Sequence, residues 1–103
     1  MAKECEVYLP LNYNDGSAIE PDKIERIGER LLEEFGGVTF FPQPNEGRRR
    51  MGHVTFRDEI VIFRVLSEDV RTARRFFRRL KAELKQDLQQ EEILIVEKDA
   101  RAL

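Results

Sequence analysis

Chemistry in this chain has few places to start. Cys5 is the only cysteine and His53 the only histidine, so a thiolate–imidazole couple needs those two to meet in space, and nothing in their spacing brings them together. Cys5 alternates with Val7 and Leu9 in a period-2 apolar pattern, which assigns its thiol to a core. His53 with Asp58 and Glu59 offers three metal-ligating side chains, but adjacent strand residues point to opposite faces and the spacing fits no metal motif. There is no glycine-rich phosphate loop and no nucleophile elbow. The sequence therefore nominates no catalytic residue, no metal ligand and no cofactor, and leans away from enzymatic activity.

The densest polar cluster is Asn12-Tyr13-Asn14-Asp15-Gly16-Ser17. It follows a strand-like segment, and ligands often sit at strand ends. Asn12, Asn14 and Asp15 are thus the candidate ligand-binding residues, joined by Arg57 and Asp58 if the fold brings those beside the loop. The same residues also make an ordinary turn before a helix, with Gly16 free to take a positive φ.

Basic side chains form the other candidate surface. Residues 1–45 carry four Lys/Arg against nine Asp/Glu, residues 46–86 twelve against six, and residues 87–103 two against five. Arg48, Arg49 and Arg50 lie in one loop, and Arg71, Arg74, Arg75 and Arg78 share the polar side of a helix. Such groups can contact nucleic-acid phosphates. They can equally pair with Glu25, Glu29 and Glu33, an i, i+4 acidic line on an earlier helix, or stay solvated. Pairing or solvation is the expectation, and nucleic acid is not the expected partner.

The elements that position these residues follow from periodicity. Glu4 to Leu11 alternates, with Cys5, Val7, Leu9 and Leu11 on one side and Glu6 and Tyr8 on the other. Pro21 suits a first helical residue, Ile24, Ile27, Leu31 and Phe35 form one stripe, and Gly36-Gly37 ends that helix. Val38 to Phe41 is a short strand limited by Pro42 and Pro44, followed by a basic turn from Asn45 to Gly52. Val54 to Leu66 is the longest strand, apolar on both sides from Ile60 apart from Arg64. Ser67 is the expected N-cap of a second helix striped by Val70, Ala73, Phe77, Leu80, Leu84 and Leu88. Ile93 to Val96 closes the set, and residues 98–103 read as a frayed tail.

Strand–helix–strand–strand–helix–strand with right-handed crossovers predicts one α+β domain over residues 1–103. It is a ferredoxin-like βαββαβ sandwich, a four-stranded antiparallel sheet with both helices on one face. The other face needs a cover. Tyr8, Phe41, Ile60, Ile62, Phe63 and Leu94 are its expected apolar residues, and alternation leaves open whether the long strand turns out Ile60 and Ile62 or Val61, Phe63 and Val65. A patch of that size predicts a homodimer through the open face. A hairpin from Pro42–Gly52 folded across the sheet is the competing cover.

Two resemblances bear on this order. Arg49-Arg50-Met51-Gly52-His53-Val54-Thr55-Phe56 is similar to the third-strand octapeptide of the RNA-recognition motif, and Val7-Tyr8-Leu9 to the start of its first-strand motif. Met51 and His53 stand where that family has stacking rings, and Arg50 replaces a glycine. Over nearly the whole chain, Leu9 to Gly16, Phe35 to Thr39 and Arg57 to Glu59 resemble a group of small uncharacterised bacterial proteins. That likeness implies the same fold and no named activity; Arg48 stands where many members have an aromatic residue.

Composition sets the remaining bounds. With 41% hydrophobic and 37% charged residues and a mean hydropathy of −0.54, a core can form but no stretch approaches the roughly 18 apolar residues of a membrane span. The N-terminal segment lacks the apolar core of a secretory signal. One cysteine cannot form an internal disulfide, which favours a reducing, cytoplasmic setting. The sequence thus predicts a small cytoplasmic interaction or ligand-binding module, homodimeric and non-catalytic. The alternative is an RNA- or nucleotide-binding domain using the basic helix and the 48–50 loop.

Overall fold

Alternating and helical periods resolve into β1 (Ala2–Pro10), α1 (Pro21–Phe35), β2 (Thr39–Met51), β3 (Val54–Ser67), α2 (Val70–Asp87) and β4 (Ile95–Ala100). This computed structural model describes the backbone of residues 2–51, 54–101 and 103, and the side chains among these outside residues 42–58. The sheet order is β2-β3-β1-β4, with every neighbouring pair antiparallel. The expected ferredoxin-like arrangement is therefore present, with β1 and β3 central. Among the described residues no helix is long and apolar enough to cross a membrane.

One hydrophobic cluster joins the helices to the sheet. Val7 and Leu9 of β1, Leu31 of α1 and Leu80 of α2 have no solvent exposure at all, and Leu88 and Ile93 have almost none. Side chains of this size contribute roughly 1.5–3 kcal/mol each in gross burial. α1 approaches β3 closely because Gly28 has no side chain: a Cβ there would lie 2.8 Å from the Phe63 ring. Phe63 in turn stacks on Phe40 with ring centroids 4.7 Å apart.

Helix ends follow the sequence in one case and depart from it in the other. α1 starts on Pro21 and stops at Gly36, which takes φ 77° and donates its N–H to the Leu32 carbonyl. α2 is capped by Asp69 rather than by the expected Ser67. The Asp69 carboxylate accepts the Thr72 N–H at 3.1 Å, while the Ser67 hydroxyl donates to the Asp69 carbonyl at 3.2 Å. A carboxylate at this end also meets the positive pole of the helix dipole.

The largest difference from the sequence reading is the β2–β3 hairpin. Val38–Phe41 followed by a basic turn was the expected course, but β2 runs to Met51 and pairs with β3 as far as Val54. Pro42 and Pro44 are tolerated because β2 is an edge strand with β3 as its one neighbour, and because a bulge between Phe41 and Asn45 takes up the two extra residues. β1 stops opposite Ile60. The hairpin therefore runs on past the end of β1 by six β3 residues, roughly 20 Å at strand rise. Its backbone continues in register along β3, which excludes the fold-over cover for Pro42–Met51. β4 reaches Ala100, so residues 98–100 are strand rather than frayed tail.

Candidate functional site

Register decides which residues share the sheet face away from the helices. Tyr8 pairs with Ile62, Ile62 with Phe41, and the Tyr8 N–H donates to the Leu94 carbonyl at 3.0 Å. Phe41, Ile62, Tyr8 and Leu94 thus form one row across all four strand positions. Ile60 lies beside it, and Val96 and Leu66 lie further along. Leu94 and Leu66 are 56% and 55% exposed. Phe63 is a correction: it was expected on this face but is 3% exposed on the helix side, with Val61 and Val65. The cause is register, since Leu9 pairs with Val61, Val7 with Phe63 and Cys5 with Val65, all turned to the core.

Beside the apolar row lies a cluster of two carboxylates and two cations. Lys98 Nζ is 2.9 Å from Glu6 Oε1, Arg64 Nη2 is 3.3 Å from Glu6 Oε2, and Arg64 Nε is 3.2 Å from Glu4 Oε1. The Arg64 guanidinium also lies over the Phe41 ring, 4.9 Å from its centroid. Glu6 is buried although it faces outward, because the long side chains of Arg64 and Lys98 cross it. The close approach of the Lys98 ammonium is the main cause holding the Glu6 carboxyl below its usual range, and Glu6 in turn raises Lys98. Sequence reading missed this cluster. Its signal was Glu6 and Tyr8 turning outward together, opposite the one charge, Arg64, inside an apolar run.

The Asn12–Ser17 loop spends its polar groups on itself and on its neighbours in the fold. Asn12 Nδ2 donates to the Gly16 carbonyl at 3.1 Å, and the Asp15 carboxylate accepts the Ser17 N–H at 2.8 Å and its hydroxyl at 2.5 Å. These two hydrogen bonds hold the Asp15 carboxyl below its usual range. Asn14 Nδ2 reaches the Gln89 carbonyl at 3.2 Å, tying the loop to the end of α2. Tyr13 donates its hydroxyl to Glu20 and accepts from Lys23. The Leu11 N–H donates to the Glu59 carbonyl, so the loop's root meets the β3 backbone next to Arg57 and Asp58. The side chains of Arg57 and Asp58 lie outside the described residues.

The helix-to-helix ion pairs have the opposite sense to the one expected. Glu25, Glu29 and Glu33 make no pair with α2 among the described residues; the bridge between the helices is Arg30 to Glu83 at 2.7 Å. At about 100° per residue the Glu line runs on the outer side of α1, while Lys23 and Arg30 flank its buried stripe towards α2. Arg74 instead forms a two-pronged pair with Glu97 of β4, at 2.9 and 2.8 Å, and Lys81 pairs with Glu92. Arg71, Arg75, Arg78 and Arg79 have no ion pair among the described residues. The side chains of Arg48, Arg49 and Arg50, and all of His53, lie outside them.

Cys5 is 3% exposed, and burial is the main cause raising its thiol pKa. Among the described residues no three His, Cys, Asp or Glu side chains gather in a metal-binding group.

These observations define a ferredoxin-like α/β sandwich with a partly apolar, partly charged open face. The fold is similar to that of a phage SAM lyase in complex with S-methyl-5'-thioadenosine, at 14% identity over 95% of this chain and 81% of the lyase, with a TM-score of 0.66. It is similar as well to the periplasmic divalent cation tolerance protein CutA of Archaeoglobus fulgidus, at 18% identity over all of this chain and 88% of that one, again with a TM-score of 0.66. No family model matches the chain, and no curated protein matches it by sequence. One fold hosts many unrelated functions, so both likenesses carry the architecture alone.

Proposed function

We propose that this protein is a small non-catalytic interaction module that pairs with a second copy of itself through the open sheet face. The observation that carries the reading is the row Phe41, Ile62, Tyr8 and Leu94, extended by Ile60 and Val96, which the Arg64 side chain borders at Phe41 and no described helix or strand overlies. A continuous apolar patch of this kind on a sheet face marks an interaction surface. A second copy suits it because the adjoining cluster is balanced, with Glu4 and Glu6 against Arg64 and Lys98. A two-fold axis then sets apolar row near apolar row, with a neutral set of charges on each side. A partner of strong single charge would find no complement there.

The reading includes a reducing, cytoplasmic setting, which suits a lone buried thiol. It gives the Asn12–Ser17 loop a structural task, since its polar side chains bond within the loop or tie it to Glu20, Lys23 and Gln89. Light scattering after gel filtration tests the proposal. A particle of twice 12.2 kDa at micromolar concentration is expected, and a monomer of 12.2 kDa overturns it.

A further inference from the structure

We infer that the arginine face of α2 binds the phosphate backbone of a nucleic-acid strand, without reading its sequence. The nearest structural account of these arginines was pairing with the acidic line of α1, and that line faces away from them. What is left on the outer side of α2 is a shallow groove of about 710 Å³ lined by Val70, Arg71, Arg74, Arg75, Arg78 and Arg79. Of these arginines, Glu97 engages Arg74 alone among the described residues. Asp69, the N-cap of α2, spends its hydrogen bonds on Thr72 and meets Arg71 and Arg75 only through space.

Spacing and chemistry both point to phosphate. Arg71, Arg75 and Arg78 lie within about 60° of one another around the helix and span roughly 10 Å along it, at 1.5 Å per residue. Three guanidinium groups on long, flexible side chains along so short a stripe can engage about three successive phosphates of one strand. Guanidinium groups fork onto phosphate oxygens in a way that lysine cannot.

Two features separate a nucleic acid from other polyanions. Insertion into a membrane needs an apolar helix face to enter the lipid, and the apolar face of α2, Ala73, Phe77, Leu80 and Leu84, is already buried in the core, which leaves only surface attraction to anionic headgroups for the experiment to separate. An acidic protein surface would normally bring apolar anchors to its hot spot, and the groove offers only Val70 among its arginines. The groove also lacks an aromatic ring for base stacking, so no base preference is expected. It lies on the helix side of the sheet, so pairing through the open face leaves it accessible on both copies.

Fluorescence anisotropy with a labelled uridine oligonucleotide tests this on the full chain. Binding is expected at about 50 mM salt, with log K falling against log salt at a slope of roughly −2 for three contacts to a single strand. An adenosine oligonucleotide of equal length should bind within about twofold. The triple variant Arg71→Gln, Arg75→Gln, Arg78→Gln should weaken binding by about tenfold or more, with unchanged circular dichroism, while Arg26→Gln on α1 should not. No binding at low salt, affinity unaffected by the triple variant, or equal competition by polyglutamate or by phosphatidylserine vesicles would overturn the inference. Particle mass is a separate readout, so its failure and that of the proposed self-pairing are distinguishable.

Discussion

Glu6 and Lys98 meet at 2.9 Å on the outward face of the sheet, yet Glu6 is only 4% exposed. A carboxylate that buried is stable because two cations lie across it, and its charge is part of the folded state. Because Lys98 lowers the Glu6 pKa, the folded chain holds that proton more weakly than the unfolded chain does. Stability from this group is fully present above the unfolded value of about 4.3 and drains away as pH falls through the lower folded value. Glu6→Gln should therefore cost about 1–3 kcal/mol at neutral pH and much less at pH near 3. Urea midpoints for both proteins at the two pH values check this; an equal loss at each would show that the charge is not what stabilises.

Gly28→Ala sets helix propensity against packing. In an open helix the change would gain up to about 1 kcal/mol. Here the new methyl meets Phe63 at 2.8 Å, and that ring is held by its stack on Phe40. Overpacking of this kind costs about 1–3 kcal/mol, so a net loss of about 1 kcal/mol is expected. Thermal melting of Gly28→Ala, Phe63→Leu and the double variant provides the check. The smaller side chain should relieve the clash, and a raised melting temperature for Gly28→Ala alone would refute the close approach.

Neighbours on β3 should respond in opposite ways. Ile62→Asp places a charge on the open face, so the chain should stay folded and shift to the monomer. Phe63→Asp buries an unpaired charge in the core and should abolish the folded state. Circular dichroism with sedimentation separates the two, and similar behaviour of both variants would contradict the register.

At the start of α2, Asp69→Ala should lower the melting temperature more than Ser67→Ala does. Asp69 satisfies a helix N–H through its side chain, whereas Ser67 reaches only a carbonyl. The reverse order would place the cap at Ser67.

How much of this was legible in the sequence depended on whether a feature was periodic. The alternation of Cys5, Val7 and Leu9 and the stripes of both helices carried the fold, and outward-turned Tyr8 located the open face. Val61 and Phe63 could not be told from Ile60 and Ile62, because every residue in that run is apolar and the choice belongs to the β1–β3 register. Pro42 and Pro44 stopped β2 on paper; an edge position with a bulge makes them harmless, and edges are set by topology. The ion pairs failed for a related reason. Complementary signs on two helices do not fix which flank each helix turns to the other, and α1 presents Arg30 where Glu29 had been expected to matter.

The strand order carries a consequence for how the chain assembles. Of the four strands β1 comes earliest in the sequence and sits in the middle, yet its partners arrive late. Val7 pairs with Phe63 on one side and with Ile95 on the other, separations that require large loops to close before either contact forms. Such long-range pairing slows folding, whereas β2 and β3 are neighbours in sequence and can pair locally. During synthesis, both edges of β1 therefore stay open until β3 has emerged, and one stays open until Ile95 follows. Of these four strands, the one that emerges first is among the last to be completed.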